Sequence, residues 1–128
     1  VEGGAAVGPL LLMRALLPHL RRSGNPRIVN VSSQIGSMEI SQKMGRDLGY
    51  AVSKAALNMI TVKLAMRLRD DGITAVMLHP GYLKTEMGGA GAAMEPGEAA
   101  PSIMSMIDTL TLDDSGTFRR WDGTIHPW

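Results

Sequence analysis

Tyr50 and Lys54 stand four residues apart, so on a helix the phenol and the ammonium lie one above the other on the same face. A phenol titrates near pKa ~10 in water, too high for a base at neutral pH. An ammonium held close stabilises the phenolate, which brings proton exchange with an alcohol or carbonyl oxygen within reach of neutral pH. The spacing alone is common, because an amphipathic Tyr beside a snorkelling Lys also produces it. Its neighbours change its weight. Asn30-Val31-Ser32-Ser33 comes upstream, and Gly36 follows at Ser-x-x-Gly spacing. Ala55-Ala56-Leu57-Asn58 follows the Lys, and His79-Pro80-Gly81 lies downstream with Thr85 beyond it.

These residues need elements to position them. A Leu- and Ala-rich helical pattern runs from about Ala5 to Arg22, with Pro18 expected to kink or loosen its last turn and Ser23-Gly24-Asn25-Pro26 to stop it. Arg27 to Ser32 is a short β-branched run that reads as a buried strand. Gly36 to Gly49 is polar and non-periodic, hence loop or short irregular helix. Tyr50 to Arg69 reads as a long helix, apolar on more than one face and therefore destined for a core or an interface. Ile73 to Leu78 is a second buried strand. Gly88 to Ala93 is low in complexity and expected to be mobile. Pro96-Gly97-Glu98 opens a helix to about Leu110, and Gly116 to Trp121 reads as a last strand before the turn Asp122-Gly123. Alternation of this kind argues for an α/β fold with a parallel sheet. Right-handed crossovers are expected to set the carboxyl ends of the strands on one edge, where ligands of open α/β sheets bind.

The composition narrows the class. At 128 residues there is room for one domain. A formal charge of +1 with scattered Lys and Arg gives no reason to expect nucleic acid or an acidic membrane as partner. There is no Cys, so disulfides and thiolate metal sites are excluded and a cytoplasmic location is permitted. His19, His79 and His126 stand at no zinc-binding spacing. No apolar run reaches the roughly 18 residues of a membrane helix. No Gly-x-Ser-x-Gly elbow marks an α/β-hydrolase. Asn30-Val31-Ser32 fits a glycosylation pattern but falls on an expected buried strand. Met38, Met87, Met94, Met104 and Met106 read as adaptable core filler ahead of pocket lining, and Trp121 and Trp128 as anchors for the tail.

Together these motifs resemble a short-chain dehydrogenase/reductase over nearly the whole chain, most closely the C-factor and sniffer-like carbonyl reductase branch. The long Ser33–Tyr50 loop and the tail Asp114-Ser115-Gly116-Thr117-Phe118, Trp121-Asp122-Gly123 and Pro127-Trp128 suggest that branch. The resemblance implies the second half of a doubly wound, Rossmann-type fold and reversible hydride transfer between NAD or NADP and a ketone or aldehyde. It implies Ser33 as donor to the substrate oxygen, Tyr50 as general acid/base, and Lys54 as the group that favours the phenolate and holds the nicotinamide ribose. Pro80, Gly81 and Leu83 would pack beside the nicotinamide, and Thr85 would bond its carboxamide. Ser32 is the rival for the serine role and reads as support for the strand end. The family places its Tyr a few residues closer to the Ser, so an insertion should be looped out before Tyr50. Relatives also pair through the equivalents of helices 5–22 and 50–69, which makes a homo-oligomer the expected assembly.

Two features depart from the family. Ala5 falls where its members carry an Asn that holds a backbone kink and a relay water. No Gly-rich turn follows a strand and opens a helix: Gly3-Gly4 and Gly88-Gly89-Ala90-Gly91 do neither. The chain also starts at Val1. The expectation is therefore a single partial domain over residues 1–128, the catalytic half of a longer protein without its N-terminal nucleotide-binding half. The alternative is a catalytically silent piece that serves as a packing or dimerisation module.

Overall fold

The computed structural model describes residues 2–81 and 95–128, with backbone alone at 2–5 and 96. Helix α1 (Glu2–Arg22) leads into strand β1 (Arg27–Val31), a 3-10 turn (Gln34–Gly36) and a one-turn helix α2 (Met38–Ser41). Helix α3 (Leu48–Leu68), strand β2 (Thr74–His79), helix α4 (Pro96–Thr109) and strand β3 (Phe118–Arg120) follow. The strands pair in the order β1-β2-β3, all parallel, with Val31 beside Leu78 and His79 beside Arg120. Their carboxyl ends share one edge because the strands are parallel. Ser33, Pro80-Gly81 and Trp121 all follow a strand at that edge.

The sheet is covered on both faces. Alternate strand residues point to opposite sides. Ile28 and Ala75 join Met13 of α1 and Ala65 and Leu68 of α3 in one core. Val76 and Leu78 join Met106 and Leu110, with Ile103 and Ile107 of α4, in the other. Thus α1 and α3 lie on one face and α4 on the other, the layering of a doubly wound fold. β2, in the middle, is buried along its whole length. The layering also corrects an expectation. The β1–α3–β2 and β2–α4–β3 connections step the same way along the sheet but pass on opposite faces, so they have opposite hands, and one breaks the right-handed rule.

The element bounds shift in ways that local chemistry explains. Helix α1 is continuous to Arg22 through Pro9 and Pro18, and Arg21 Nε reaches Asp71 at 3.0 Å, tying its end to the turn after α3. Helix α3 starts at Leu48, two residues ahead of Tyr50, behind Asp47 in the left-handed region (φ 61°). Strand β3 is only three residues long. Gly116, at φ 85°, donates its N–H to Ala75 O at 2.7 Å and holds a turn where extended backbone was expected. After the turn at Gly123 the tail doubles back, and His126 N donates to Phe118 O at 2.8 Å. The expected mobile run 88–93 lies outside the described residues.

Candidate active site

Helix α3 carries the two chemistry-bearing residues on one line. Tyr50 lies in its first turn, about two-fifths exposed (38%), with the Lys54 ammonium 5.6 Å from the centre of its ring. Lys54 Nζ also donates to Val31 O, the last carbonyl of β1, at 3.2 Å. That bond stretches the side chain across the carboxyl edge of the sheet and half buries it. Burial lowers the ammonium's pKa from the usual lysine range.

Ser33 sits on the turn that leaves β1. Its Oγ accepts from Ile35 N at 3.2 Å, capping the 3-10 turn and leaving its own O–H to donate outward. The glycine three residues on has a steric reason. A Cβ at Gly36 would come within 3.0 Å of Lys54 C, Lys54 Cβ and Asn58 Nδ2, so only Gly lets the turn lie this close to α3. The Ser33 turn and the Lys54 turn are therefore packed together. The residues between Gly36 and Tyr50 are taken up by α2, the loop after it and the first two residues of α3, so the extra length is looped out before the helix.

Ser32 takes the supporting role. It is buried and donates to Asn58 Oδ1 at 2.6 Å, while Asn58 Nδ2 donates to Gly36 O at 3.3 Å. One turn further along α3, Thr61 Oγ1 accepts from Asn30 Nδ2 at 2.8 Å. Lys54, Asn58 and Thr61 thus form a polar line at i, i+4 and i+7, pinned to β1 and the turn after it, that gives way to Ala65 and Leu68 in the apolar core. Sequence reasoning read the run after Lys54 as a motif and missed this function of Asn58. Its only advance signal was a helix-poor Asn inside an otherwise apolar helix.

Pro80 and Gly81 follow β2 beside this site, since Ser32 N donates to Leu78 O at 2.7 Å, and Gly81 has φ 91°. Leu83 and Thr85, with Met87 and Met94, lie outside the described residues, as does the side chain of Ala5. Met106 is core, as expected, whereas Met104 and Met38 are exposed.

A second cluster went unread in the sequence. His79, the last residue of β2, meets Trp121 edge-on with ring centres 5.9 Å apart, and His126 at 5.3 Å. Phe118 stacks against His126 at 4.4 Å and Trp128 at 5.7 Å, so both tryptophans anchor the tail as expected. His79 Nδ1 is buried with no hydrogen-bond partner among the described residues. Burial above all, then the charges of His126 and Arg120, pushes its pKa down to about 4. Burial also lowers that of His126. A groove of about 460 Å³ opens between Gly36, Met38, Asn58, Met59 and Trp128, and none of Ser33, Tyr50 or Lys54 lines it. Among the described residues no acidic, His or Cys cluster could hold a metal, and no helix is long and apolar enough to cross a membrane.

Known proteins resemble this chain in sequence and in fold. The C-signal protein of Myxococcus xanthus is 37% identical over 123 residues, spanning 96% of this chain and 74% of that protein. The short-chain dehydrogenase srdF of Neurospora crassa is 35% identical over 96% of this chain but only 53% of its own length. Among solved structures, the carbonyl reductase Sniffer of D. melanogaster superposes with a TM-score of 0.89 at 32% identity, over 99% of this chain and 55% of that one. An NADPH-bound carbonyl reductase from chicken fatty liver gives 0.92 at 36%, over 100% and 56%. The chain thus spans about half the length of most of these relatives. The profile of the short chain dehydrogenases matches residues 5–96. By that match and by its identity to C-signal, this chain belongs to the short chain dehydrogenase family.

Proposed function

We propose that these residues form the catalytic part of an NAD(P)-dependent carbonyl reductase, working as a partial domain alongside a dinucleotide-binding half. The observation that carries this reading is the Lys54 ammonium, suspended over the Tyr50 ring by the Val31 carbonyl and packed against the turn that bears Ser33. The residues suit a nicotinamide. Lys54 spends one of its three donors on Val31 O and has others for ribose hydroxyls, and Gly81 presents backbone without a Cβ beside them. Carbonyl reductase neighbours, one of them NADPH-bound, favour the same cofactor class.

In carbonyl reduction the cofactor supplies the hydride. Ser33 donates its O–H to the substrate oxygen and steadies the charge that develops there. Tyr50 delivers the phenolic proton to that oxygen, and Lys54 stabilises the phenolate left behind. Pro80 and Gly81 would border the nicotinamide, and the family resemblance assigns its ring face to Leu83 and its carboxamide to Thr85, both outside the described residues. A small-molecule reductase fits these groups, and a chain without Cys suits the cytoplasm.

The exposed apolar positions Val52, Met59 and Met66 of α3, seven residues apart, and Leu11 and Leu12 of α1 suit a homo-oligomeric contact. They also favour a second reading, a packing module without turnover. Nicotinamide fluorescence separates the two. The reductase takes up NAD(P)H and consumes it when a ketone or aldehyde is added. A protein that self-associates but leaves the nicotinamide signal unchanged is the packing module.

A further inference from the structure

Asn58 grips the chain on both sides of Ser33. It accepts from the Ser32 hydroxyl at 2.6 Å and donates to the Gly36 carbonyl at 3.3 Å. Its orientation follows from its partners. The carbonyl of Gly36 can only accept, so the amide nitrogen must face it, and the hydroxyl of Ser32 is left to donate to the amide oxygen. The residue is 3% exposed, so cutting either bond leaves a buried polar partner short of one hydrogen bond.

The position of this clamp gives it a consequence for chemistry. Asn58 lies one helical turn beyond Lys54 and two beyond Tyr50, on the same line of α3. Its two bonds end on residues 32 and 36, and the segment between them carries the Ser33 hydroxyl. The clamp therefore ties the segment that carries Ser33 to the helix that carries Tyr50. The clamp also sorts the two serines, because the Ser32 hydroxyl is consumed while Ser33 keeps its O–H free to donate. Gly36, with no room for a Cβ, lets the turn close down on the amide.

We infer that Asn58 is a positioning residue for the reduction: it holds the Ser33 hydroxyl at its working distance from Tyr50 and withdraws Ser32 from competition. This rests on the reading of Ser33 and Tyr50 as the reacting pair. A positioning residue that acts through Ser33 has nothing to act on once that hydroxyl is gone, whereas a general contribution to folding does not depend on it.

The test is a double-mutant cycle in the full-length enzyme, with rates taken per NADPH-binding site so that unfolded protein does not count. Asn58→Asp keeps the size and the acceptor but loses the donor to Gly36. Asn58→Leu loses both bonds, and Ser32→Ala cuts one of them from the other side. With Ser33 present, Asn58→Leu lowers kcat by ten- to a hundredfold, Asn58→Asp and Ser32→Ala by less, and KM for NADPH stays within about twofold. In a Ser33→Ala background the same changes leave the residual kcat unaltered. Equal fold-losses in both backgrounds, or full kcat in Asn58→Asp and Ser32→Ala, overturn the inference. If Asn58→Leu does not fold, the cycle of Asp and Ala variants decides. Full turnover in Ser33→Ala or Tyr50→Phe instead removes the underlying reading, an outcome distinct from a cycle that fails while both of those variants are slow.

Discussion

Lys54 is the residue on which the electrostatics of the site turn. Burial lowers its own pKa, and the Val31 carbonyl and the Tyr50 ring are what hold the charge in place. On the proposed mechanism, removing it takes away the cation beside the reacting phenol. In alcohol oxidation, where the proposed mechanism takes the proton onto Tyr50, Lys54→Ala shifts the rise of activity to higher pH. A kcat against pH curve superimposable on the parent's counts against the role. Ser33→Ala removes one donor to the developing oxyanion and lowers kcat by about a hundred- to a thousandfold, read in a steady-state assay. The Tyr50–Lys54 pair was legible in the sequence because helical periodicity alone brings i and i+4 together. The Asn58 clamp was not, since Ser32 is 26 residues away and only the packing of α3 on β1 brings the two into contact.

Among the elements, the junction between β1 and α3 decides whether there is a site. Gly36 is its tightest point. Gly36→Ala forces a methyl into contacts at 3.0 Å with the Lys54 backbone and the Asn58 amide, an overpacking that costs about 1–3 kcal/mol. Denaturant unfolding measures the loss, and unchanged stability means the turn can retreat from α3. The strands and long helices were readable from β-branched runs and apolar periodicity. Three things were not. The start of α3 depends on Asp47 adopting φ 61°, and the shortness of β3 on the turn at Gly116. The side of the sheet taken by α4 depends on which strand residues its apolar face meets, a tertiary matter that no local pattern encodes.

Taken whole, the molecule is two cores on either side of a three-stranded sheet, closed at one end by the His79–His126–Trp121 cluster. Both histidines have depressed pKa values in the fold, so the unfolded chain takes up protons first as pH falls. Their contribution is complete above the ordinary histidine range, near pH ~6.5, and is lost as the pH drops toward about 4, the folded value of His79. Unfolding followed by tryptophan fluorescence shows a midpoint that falls across that window, and His79→Leu flattens the fall. A flat parent profile contradicts the assignment. The surface of α1 and α3 carries a different expectation. Met66, 75% exposed, belongs to a stripe with Val52 and Met59, and Met66→Asp with Met59→Asp weakens self-association in sedimentation if that face is the interface. An unchanged sedimentation profile rejects it. The central claim is that the Tyr50 phenol moves the proton in an NAD(P)H-dependent carbonyl reduction. Its most direct test is kcat for Tyr50→Phe, measured beside NADPH affinity, because that change deletes one oxygen and leaves the ring under the Lys54 ammonium. The account predicts a fall of about 10²–10⁴-fold with cofactor binding and fold intact. Turnover equal to that of the parent contradicts it.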